Sequence, residues 1–399
     1  MLITEYLTCK NELLKIKNSL LWLPMQFVNV IAREAEKKHL IHTVQENRIS
    51  HAQMFLGPAG SGTVPLAIAY AQYILCQNKQ ENDSCGVCAS CAKIQKHNHP
   101  DLHFSFPIHL SKEKHIYASD NVLGVWRAIL DENPYFGIED WSLKLGNENK
   151  QGIIGKEESQ NIVSKLSLKS FEGGYKILIM WLPELMNGQA SNKLLKFIEE
   201  PPDKTVFLLV AEDQEQIITT IRSRTQIVKL PRLREKEIAT YLETEKGIPA
   251  NDSNIIAHLA EGDVGKAIHL ISEQTEANFN FENFINWMRL CYQRNIAKSI
   301  DWVDLIAVSG RENQKSFLKF CLNMFRQCIV GHYSGNELVV LTDEQNAFLS
   351  KFSPFINSKN IVGLTEVFNE AYYHIERNAN AKILFLDLSI KTFSLLQKK

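Results

Sequence analysis

Residues 57–64 read Gly-Pro-Ala-Gly-Ser-Gly-Thr-Val and constrain the fold more than any other part of the chain. This segment fits the phosphate-loop frame G-x-x-x-x-G-K-[ST] through its second glycine and departs from it at the last two positions. Thr63 stands where the frame has lysine, and Val64 stands where it has the hydroxyl that binds Mg²⁺. The sequence therefore predicts a backbone cradle for phosphate that lacks its positive charge.

The sequence on either side of the loop has the order that a phosphate loop requires. Residues 51–56 predict a short strand, and residues 65–75 predict a helix with a proline in its first turn, where a missing N–H costs little. An ordinary glycine turn is the alternative if the loop is considered alone. The degenerate cofactor-binding positions are Gly57, Gly60, Gly62 and Thr63, and no nucleotide is expected on them.

Bulk properties exclude several classes of protein. The chain of 399 residues has room for two or three domains, and its 45% hydrophobic and 22% charged residues are typical of a soluble globular protein. A net charge of −1 provides no overall basic field, so any DNA contact must come from a local patch or from partners. No apolar run approaches the ~20 residues of a membrane span, and a cytoplasmic location is expected.

Four cysteines predict a structural metal site. Their C-x8-C-x2-C-x2-C spacing lets four thiolates close a tetrahedral Zn²⁺ site with no open position for substrate. A solitary buried thiol at Cys76, or replacement of one ligand by His97 or His99, is the alternative. The predicted ligands are Cys76, Cys85, Cys88 and Cys91.

A second nucleotide signature is also incomplete. Residues 176–180 predict a buried strand, after which a phosphate-loop ATPase would have an aspartate and a glutamate. This chain has Trp181, Leu182 and Pro183 before Glu184, so the carboxylate that would hold magnesium is absent. Strands and helices continue to alternate to about residue 230, which indicates a parallel sheet.

At this point the sequence resembles the bacterial clamp-loader family of AAA+ proteins, from about Met25 to the C-terminus and least over 105–150. The resemblance rests on the loop, the four cysteines, and the segments Lys-Leu-Leu-Lys (193–196), Glu-Glu-Pro-Pro (199–202) and Ile-Arg-Ser-Arg (221–224). Gamma/tau members of the family are ATPases with intact Walker motifs. Delta-prime members keep the Ser-Arg motif and the zinc module but have degenerate Walker motifs, and this chain resembles them.

The resemblance implies that Arg224 is an arginine finger, which acts on ATP bound to a neighbouring subunit. Thr225 replaces the cysteine of the family motif, and Gly265 stands where the family has a sensing arginine. The residues alone leave another interpretation open, in which Arg224 caps a helix C-terminus or pairs with Glu199 or Glu200.

The resemblance also implies the domain organisation. The expected fold is an α/β AAA+ phosphate-loop domain with a zinc module, followed by an all-α lid and an all-α C-terminal collar for oligomerisation. Residues 1–24 are interpreted as a dispensable extension or a wrongly assigned start. The expected boundaries are 25–231 for the α/β domain, with zinc at 76–91, 232–275 for the lid and 276–399 for the collar. Cys291, Cys321 and Cys328 lie among apolar residues of the collar and are expected to be buried thiols.

The function implied is that of a non-catalytic, delta-prime-like subunit of the clamp loader in a DNA-directed DNA polymerase III holoenzyme. Gamma/tau and delta subunits are the expected partners in a hetero-pentamer, with the sliding clamp and primed DNA reached through the complex and no membrane involved. Zn²⁺ is the one expected cofactor, and ATP is expected only in neighbouring subunits. The alternatives are a gamma/tau-like ATPase with unorthodox Walker motifs and an independent DNA-binding module.

Overall fold

The computed structural model describes residues 25–111, 113, 115–146, 152–334 and 343–397. The chain divides into two compact units, Met1–Leu270 and Ile271–Lys399. The expected extension at 1–24 lies outside the described residues. Within the described part of the chain, no helix is long and apolar enough to cross a membrane.

A five-stranded parallel sheet forms the centre of the first unit. Its strands are β1 (Ala52–Leu56), β2 (Leu102–Ser105), β3 (Lys176–Trp181), β4 (Thr205–Ala211) and β5 (Gln226–Lys229). They lie in the order β2-β3-β4-β1-β5, so β1 pairs with both β4 and β5. This is a parallel-sheet α/β fold, as the alternation of strands and helices predicts.

Both faces of the sheet are covered, as is usual when all strands are parallel. Alternate residues of β4, for example Phe207 and Leu208, belong to hydrophobic clusters on opposite faces. The helices that accompany the sheet are α1 (Glu34–Gln45), α2 (Thr63–Leu75), α3 (Ala89–Gln95), α4 (Leu123–Glu132), α5 (Ile138–Lys144), α6 (Lys156–Ser167), α7 (Gly188–Glu199) and α8 (Thr219–Arg222). Helix α7 begins at Gly188, where the Asn187 side chain caps it by accepting a hydrogen bond from Ala190 N at 2.9 Å.

Helix α2, which follows the glycine loop, is buried around its whole circumference from Thr63 to Ile74. Its sequence explains this, because between Val64 and Leu75 the polar side chains are one glutamine and two tyrosine hydroxyls. The loop is therefore attached to a helix that is buried on all sides.

The weakly patterned segment 105–150 contributes helices α4 and α5 and an aromatic cluster. The Phe106 and Trp126 rings stack with centroids 4.2 Å apart, and Trp141 is also fully buried. Trp181, at the end of β3, joins this cluster with its ring centroid 4.9 Å from that of Phe136. Trp181, where a phosphate-loop ATPase would have a metal-binding carboxylate, is therefore the last residue of β3 and part of the core.

Beyond β5 the described residues form helices and connecting turns, with no strand among them. Helices α9 (Glu235–Lys246) and α10 (Ala250–Ala260) belong to the first unit, and α11 (Val264–Gln293) contains the division between the units. The second unit contains α12 (Ile296–Ala307), α13 (Arg311–Ser334), α14 (Asp343–Phe352), α15 (Ile361–Glu376) and α16 (Ala381–Leu395). Its core includes stacked Trp287 and Trp302 rings with centroids 4.5 Å apart.

Candidate functional site

The glycine loop lies at the carboxyl end of β1, where ligands bind in open α/β sheets. Gly60 and Gly62 have φ values of +70° and +93°, a backbone region that side chains rarely adopt. Gly57 has no room for a Cβ atom, because that atom would overlap the carbonyl oxygen of Leu230. The loop therefore keeps the tight backbone form that its glycines predict.

The carboxylate of Asp263 fills the space above this loop. A Cβ atom on Gly60 would overlap the Asp263 side chain, and Val264 N donates to Gly60 O at 3.3 Å. Burial raises the pKa of Asp263 above its usual value. A carboxylate against the loop opposes the binding of phosphate, because like charges repel strongly where water is excluded.

Tyr135 closes a second side of the loop. Its ring would lie 3.3 Å from a Cβ atom on Gly62, and its hydroxyl accepts a hydrogen bond from Ile31 N at 2.9 Å. Its carbonyl oxygen would lie 2.5 Å from a Cβ atom on Gly265, the position where the family resemblance places a sensing arginine. Position 265 thus has no room for a side chain, which gives a physical reason for that departure.

Arg33 binds the back of the loop with a buried guanidinium group. Its Nε and Nη2 donate to Ser61 O at 3.2 and 2.8 Å, and Nη2 also donates to Pro231 O. Burial lowers the pKa of Arg33. Arg33, Tyr135 and Asp263, here called the loop-filling residues, were not predicted as site residues. No sequence motif marks them, because they converge from distant parts of the chain.

Further carboxylates stand at the ends of β3 and β4. Glu184 Oε1 accepts hydrogen bonds from Glu212 N at 2.8 Å and Asp213 N at 3.2 Å, so the glutamate that follows β3 has a structural contact. Glu212 remains exposed, yet partial desolvation and then the carboxylates of Glu184 and Asp263 raise its pKa to about 7. This end of the sheet is acidic where a nucleotide site needs positive charge.

The pH dependence of stability tests this crowding. Because the pKa of Glu212 is raised, the folded protein holds this proton more tightly than the unfolded chain does, and stability falls as the pH rises from about 4.5 to about 7. We expect Glu212→Gln to remove this loss. The melting temperature of the variant minus that of the wild type should therefore increase from pH 5 to pH 8. Asp213→Asn is the control, since the Glu215 N–H lowers the pKa of Asp213 and the group stays ionised throughout that range. If the melting temperatures of the wild type and Glu212→Gln change with pH in the same way, the raised pKa of Glu212 is contradicted.

Arg224 follows helix α8, at the surface and away from the loop-filling residues. Its Nη2 lies 2.9 Å from Glu199 Oε1, and its Nη1 donates to Thr220 O at 3.0 Å and Ser223 Oγ at 3.2 Å. The Arg224 and Glu199 side chains keep 41% and 40% of their surface exposed. Both contacts of the alternative interpretation, the helix cap and the pair with Glu199, are therefore present in the chain by itself.

The four predicted cysteines converge at the carboxyl end of α2. Their sulfur atoms all lie within 4.8 Å of one another, with Cys76 Sγ 3.6 Å from Cys85 Sγ. Four thiolates at the usual Zn–S distance of about 2.3 Å have sulfur atoms about 3.8 Å apart. The arrangement therefore fits a metal ion with tetrahedral coordination. This is the one group of potential metal-binding side chains among the described residues, and neither His97 nor His99 takes part.

Hydrogen bonds to sulfur favour the thiolate form at Cys85 and Cys88, whereas burial raises the pKa of Cys76 and Cys91. The N–H groups of Cys85, Cys88 and Cys91 donate to the sulfur atoms of Cys76, Cys85 and Cys88 at 3.3, 3.3 and 3.5 Å. Burial acts to raise the pKa of Cys88, but N–H groups, first that of Cys91, outweigh it and lower the pKa to about 6. Cys291, Cys321 and Cys328, in the second unit, are buried, and burial raises the pKa of each.

The cysteine module also holds the beginning of the described chain. Asp83, within the module, accepts hydrogen bonds from Phe27 N at 3.2 Å and Val28 N at 2.9 Å. Gln26 donates to Ser84 O at 2.7 Å. The module thus joins the end of α2 to the segment that leads to Arg33.

The chain is similar in sequence to subunits of bacterial DNA polymerase III. The family model described as "DNA polymerase III, delta subunit" matches residues 32–234. The delta' subunit of DNA polymerase III from Escherichia coli K12 is 24% identical over 302 residues, which cover 75% of this chain and 75% of that protein. The tau/gamma subunit from Haemophilus influenzae is 23% identical over 257 residues, covering 63% of this chain and 31% of that protein. Among solved structures, the RuvB Holliday junction branch migration motor of Thermotoga maritima aligns with a TM-score of 0.37 and 16% identity, covering 62% of this chain and 63% of that one.

Proposed function

Because the chain belongs to the DNA polymerase III delta subunit family, whose model spans residues 32–234, we propose that it is a non-catalytic, delta-prime-like subunit of a clamp loader. In this role it helps ATPase subunits to load a sliding clamp onto primed DNA. It works in the cytoplasm, as part of a DNA polymerase holoenzyme, without hydrolysing ATP itself.

The filled glycine loop is the observation that carries this proposal. The carboxylate of Asp263 lies over Gly60, the ring of Tyr135 faces Gly62, and the position that would carry the phosphate-binding lysine is Thr63. A nucleotide would have to displace a buried tyrosine and bring its phosphates against a carboxylate. These contacts support a subunit that does not bind ATP.

The contacts of the helical segment after β5 support a fixed role for this subunit. Val264 N donates to Gly60 O, and His269 Nε2 lies 2.7 Å from Asp140 Oδ1. These contacts hold the proposed lid against the α/β domain without a nucleotide, so we expect the contact between them to stay the same when ATP is hydrolysed.

Arg224 is the proposed contribution to catalysis, made on ATP held by an adjacent subunit. Its planar guanidinium group suits the transferred phosphoryl group better than a lysine, because two parallel N–H donors match two oxygens. Such arginines stabilise the charge of the transition state. The exposure of Arg224 supports this role, since a finger must be able to reach a neighbour.

Zn²⁺ is the metal that we assign to the four cysteines. Four sulfur ligands favour zinc, and a closed tetrahedral site has no place for a substrate. Cys76, Cys85, Cys88 and Cys91 would hold it, so its effect is on stability. The bound ion would fix the module that holds the segment before Arg33.

The proposed partners are gamma/tau and delta subunits in a hetero-pentamer, with the clamp and DNA contacted through the complex. Similarity to a tau/gamma subunit favours the second candidate function, an ATPase with unorthodox Walker motifs.

Nucleotide titration of the isolated chain separates the two functions. We expect no saturable binding of a fluorescent ATP analogue up to about 1 mM, the upper end of usual KM values, and no hydrolysis. The tau/gamma subunit of the same organism, assayed in parallel, is the positive control. Saturable binding, or turnover approaching about 1 s⁻¹, would support the ATPase instead.

A further inference from the structure

The pair between Arg224 and Glu199 joins two helix C-termini. Glu199 is the last residue of α7, where a negative charge is unfavourable because the helix dipole is negative there. Arg224 follows the end of α8, where a positive charge is favourable, and its Nη1 donates to Thr220 O of that helix. The pair therefore compensates a charge on α7 that the helix itself does not favour.

The two ends of the guanidinium group have different partners. Nη1 is held by Thr220 O and Ser223 Oγ, which are contacts within the motif itself. Nη2 contacts Glu199 Oε1 at 2.9 Å. If Glu199 moved away, Nη2 would become free to bind another oxyanion while Nη1 kept the group oriented.

We propose that Glu199 is a competing partner of Arg224, which occupies its Nη2 donor until the phosphate of a neighbour's ATP displaces the carboxylate. This inference rests on the proposed function, because it needs Arg224 to act on that ATP. In the chain by itself, the carboxylate holds the Nη2 end of the guanidinium group. It also competes with the phosphate for the same Nη2 donor.

The strength of the pair suits a reversible exchange. Both side chains are about 40% exposed, and exposed pairs of this kind shift an equilibrium by about two- to five-fold. A triphosphate carries more charge than one carboxylate and therefore replaces it on the guanidinium. The pair with Glu199 must break before Arg224 binds the neighbour's phosphate. It therefore lowers the fraction of molecules in which Arg224 is bound to that phosphate.

The test is the Glu199→Gln variant in a complex reconstituted with the organism's own tau/gamma and delta subunits. The rate of single-turnover ATP hydrolysis is measured for each complex. The rate of the complex that contains Arg224→Ala is then subtracted. We expect the remaining, Arg224-dependent rate to rise about two- to five-fold in Glu199→Gln. The gain should shrink as salt is raised, because screening weakens the pair in the wild type.

Glu200→Gln is the matched control, since its side chain forms no ion pair with any residue that the structure describes, and its rate should equal that of the wild type. A Glu199→Gln rate equal to or below the wild type, with Arg224→Ala impaired, would overturn the role of Glu199 and leave the proposed function standing. If Arg224→Ala matches the wild type, the arginine finger fails, and the role of Glu199 fails with it. Equal gains in Glu199→Gln and Glu200→Gln would also overturn the role, because they would reflect net charge alone.

Discussion

Replacing Arg224 by alanine is expected to slow ATP hydrolysis at the adjoining site of the assembled complex by about 10³-fold or more, the scale known for arginine fingers. The guanidinium group would stabilise negative charge that develops on the transferred phosphoryl group, and alanine leaves that charge unpaired. Single-turnover hydrolysis by the reconstituted complex measures the effect. Because Arg224 lies at the surface, the isolated variant should melt at nearly the wild-type temperature.

Two variants make this result specific. Arg222→Ala removes a nearby arginine whose Nη1 lies 2.8 Å from Glu215, and it should keep most of the rate. Arg224→Lys should recover only a small part of the lost rate, because an ammonium group cannot form two parallel hydrogen bonds. Equal losses in Arg222→Ala and Arg224→Ala would instead indicate a general electrostatic effect at the subunit interface.

Removal of the metal is expected to have the second large effect. Cys88→Ser should lose bound zinc and lower the melting temperature by about 10 °C, because the loss of a structural metal costs about 4 kcal/mol and each kcal/mol shifts a domain of this size by about 2–4 °C. The reason is local, since without the ion the module no longer joins Phe27 and Val28 to the end of α2. Zinc content by mass spectrometry and thermal melting are the measurements.

Cys328→Ala is the control for this experiment, because Cys328 is a buried cysteine of the second unit, far along the chain from the four-cysteine cluster. It should retain the full zinc content. A chelator should destabilise the wild type and Cys328→Ala but leave Cys88→Ser unchanged. Unchanged melting of a zinc-free Cys88→Ser protein would show that the module folds without metal.

The sequence predicted the parts of the site that depend on local pattern. The order of β1, loop and α2 was predicted because a buried strand, three glycines and an apolar helix follow one another directly. The convergence of the cysteines was predicted from their spacing, since C-x2-C steps allow two sulfur atoms to face one ion. In both cases neighbouring residues determine the geometry.

The contents of the loop could not be predicted in the same way. Tyr135 and Asp263 are 128 residues apart in the sequence, yet both lie against the loop. Tyr135 belongs to the segment 105–150, where the family resemblance is weakest, so no sequence signal pointed to its contact with Gly62. The contact of Arg224 with Glu199 was considered only as one alternative, because the sequence does not show which of two adjacent glutamates faces α8.

The packing of Tyr135 and Asp263 against the loop has a consequence for substitutions at position 63. A single reversion of Thr63 to lysine would add an ammonium group at a buried position, with a tyrosine and a carboxylate still in place around it. Gly265 would also need space for an arginine, which the Tyr135 carbonyl now takes. A lysine at position 63 could therefore bind phosphate only together with substitutions at Tyr135 and Asp263, so a single substitution is not expected to restore the phosphate site.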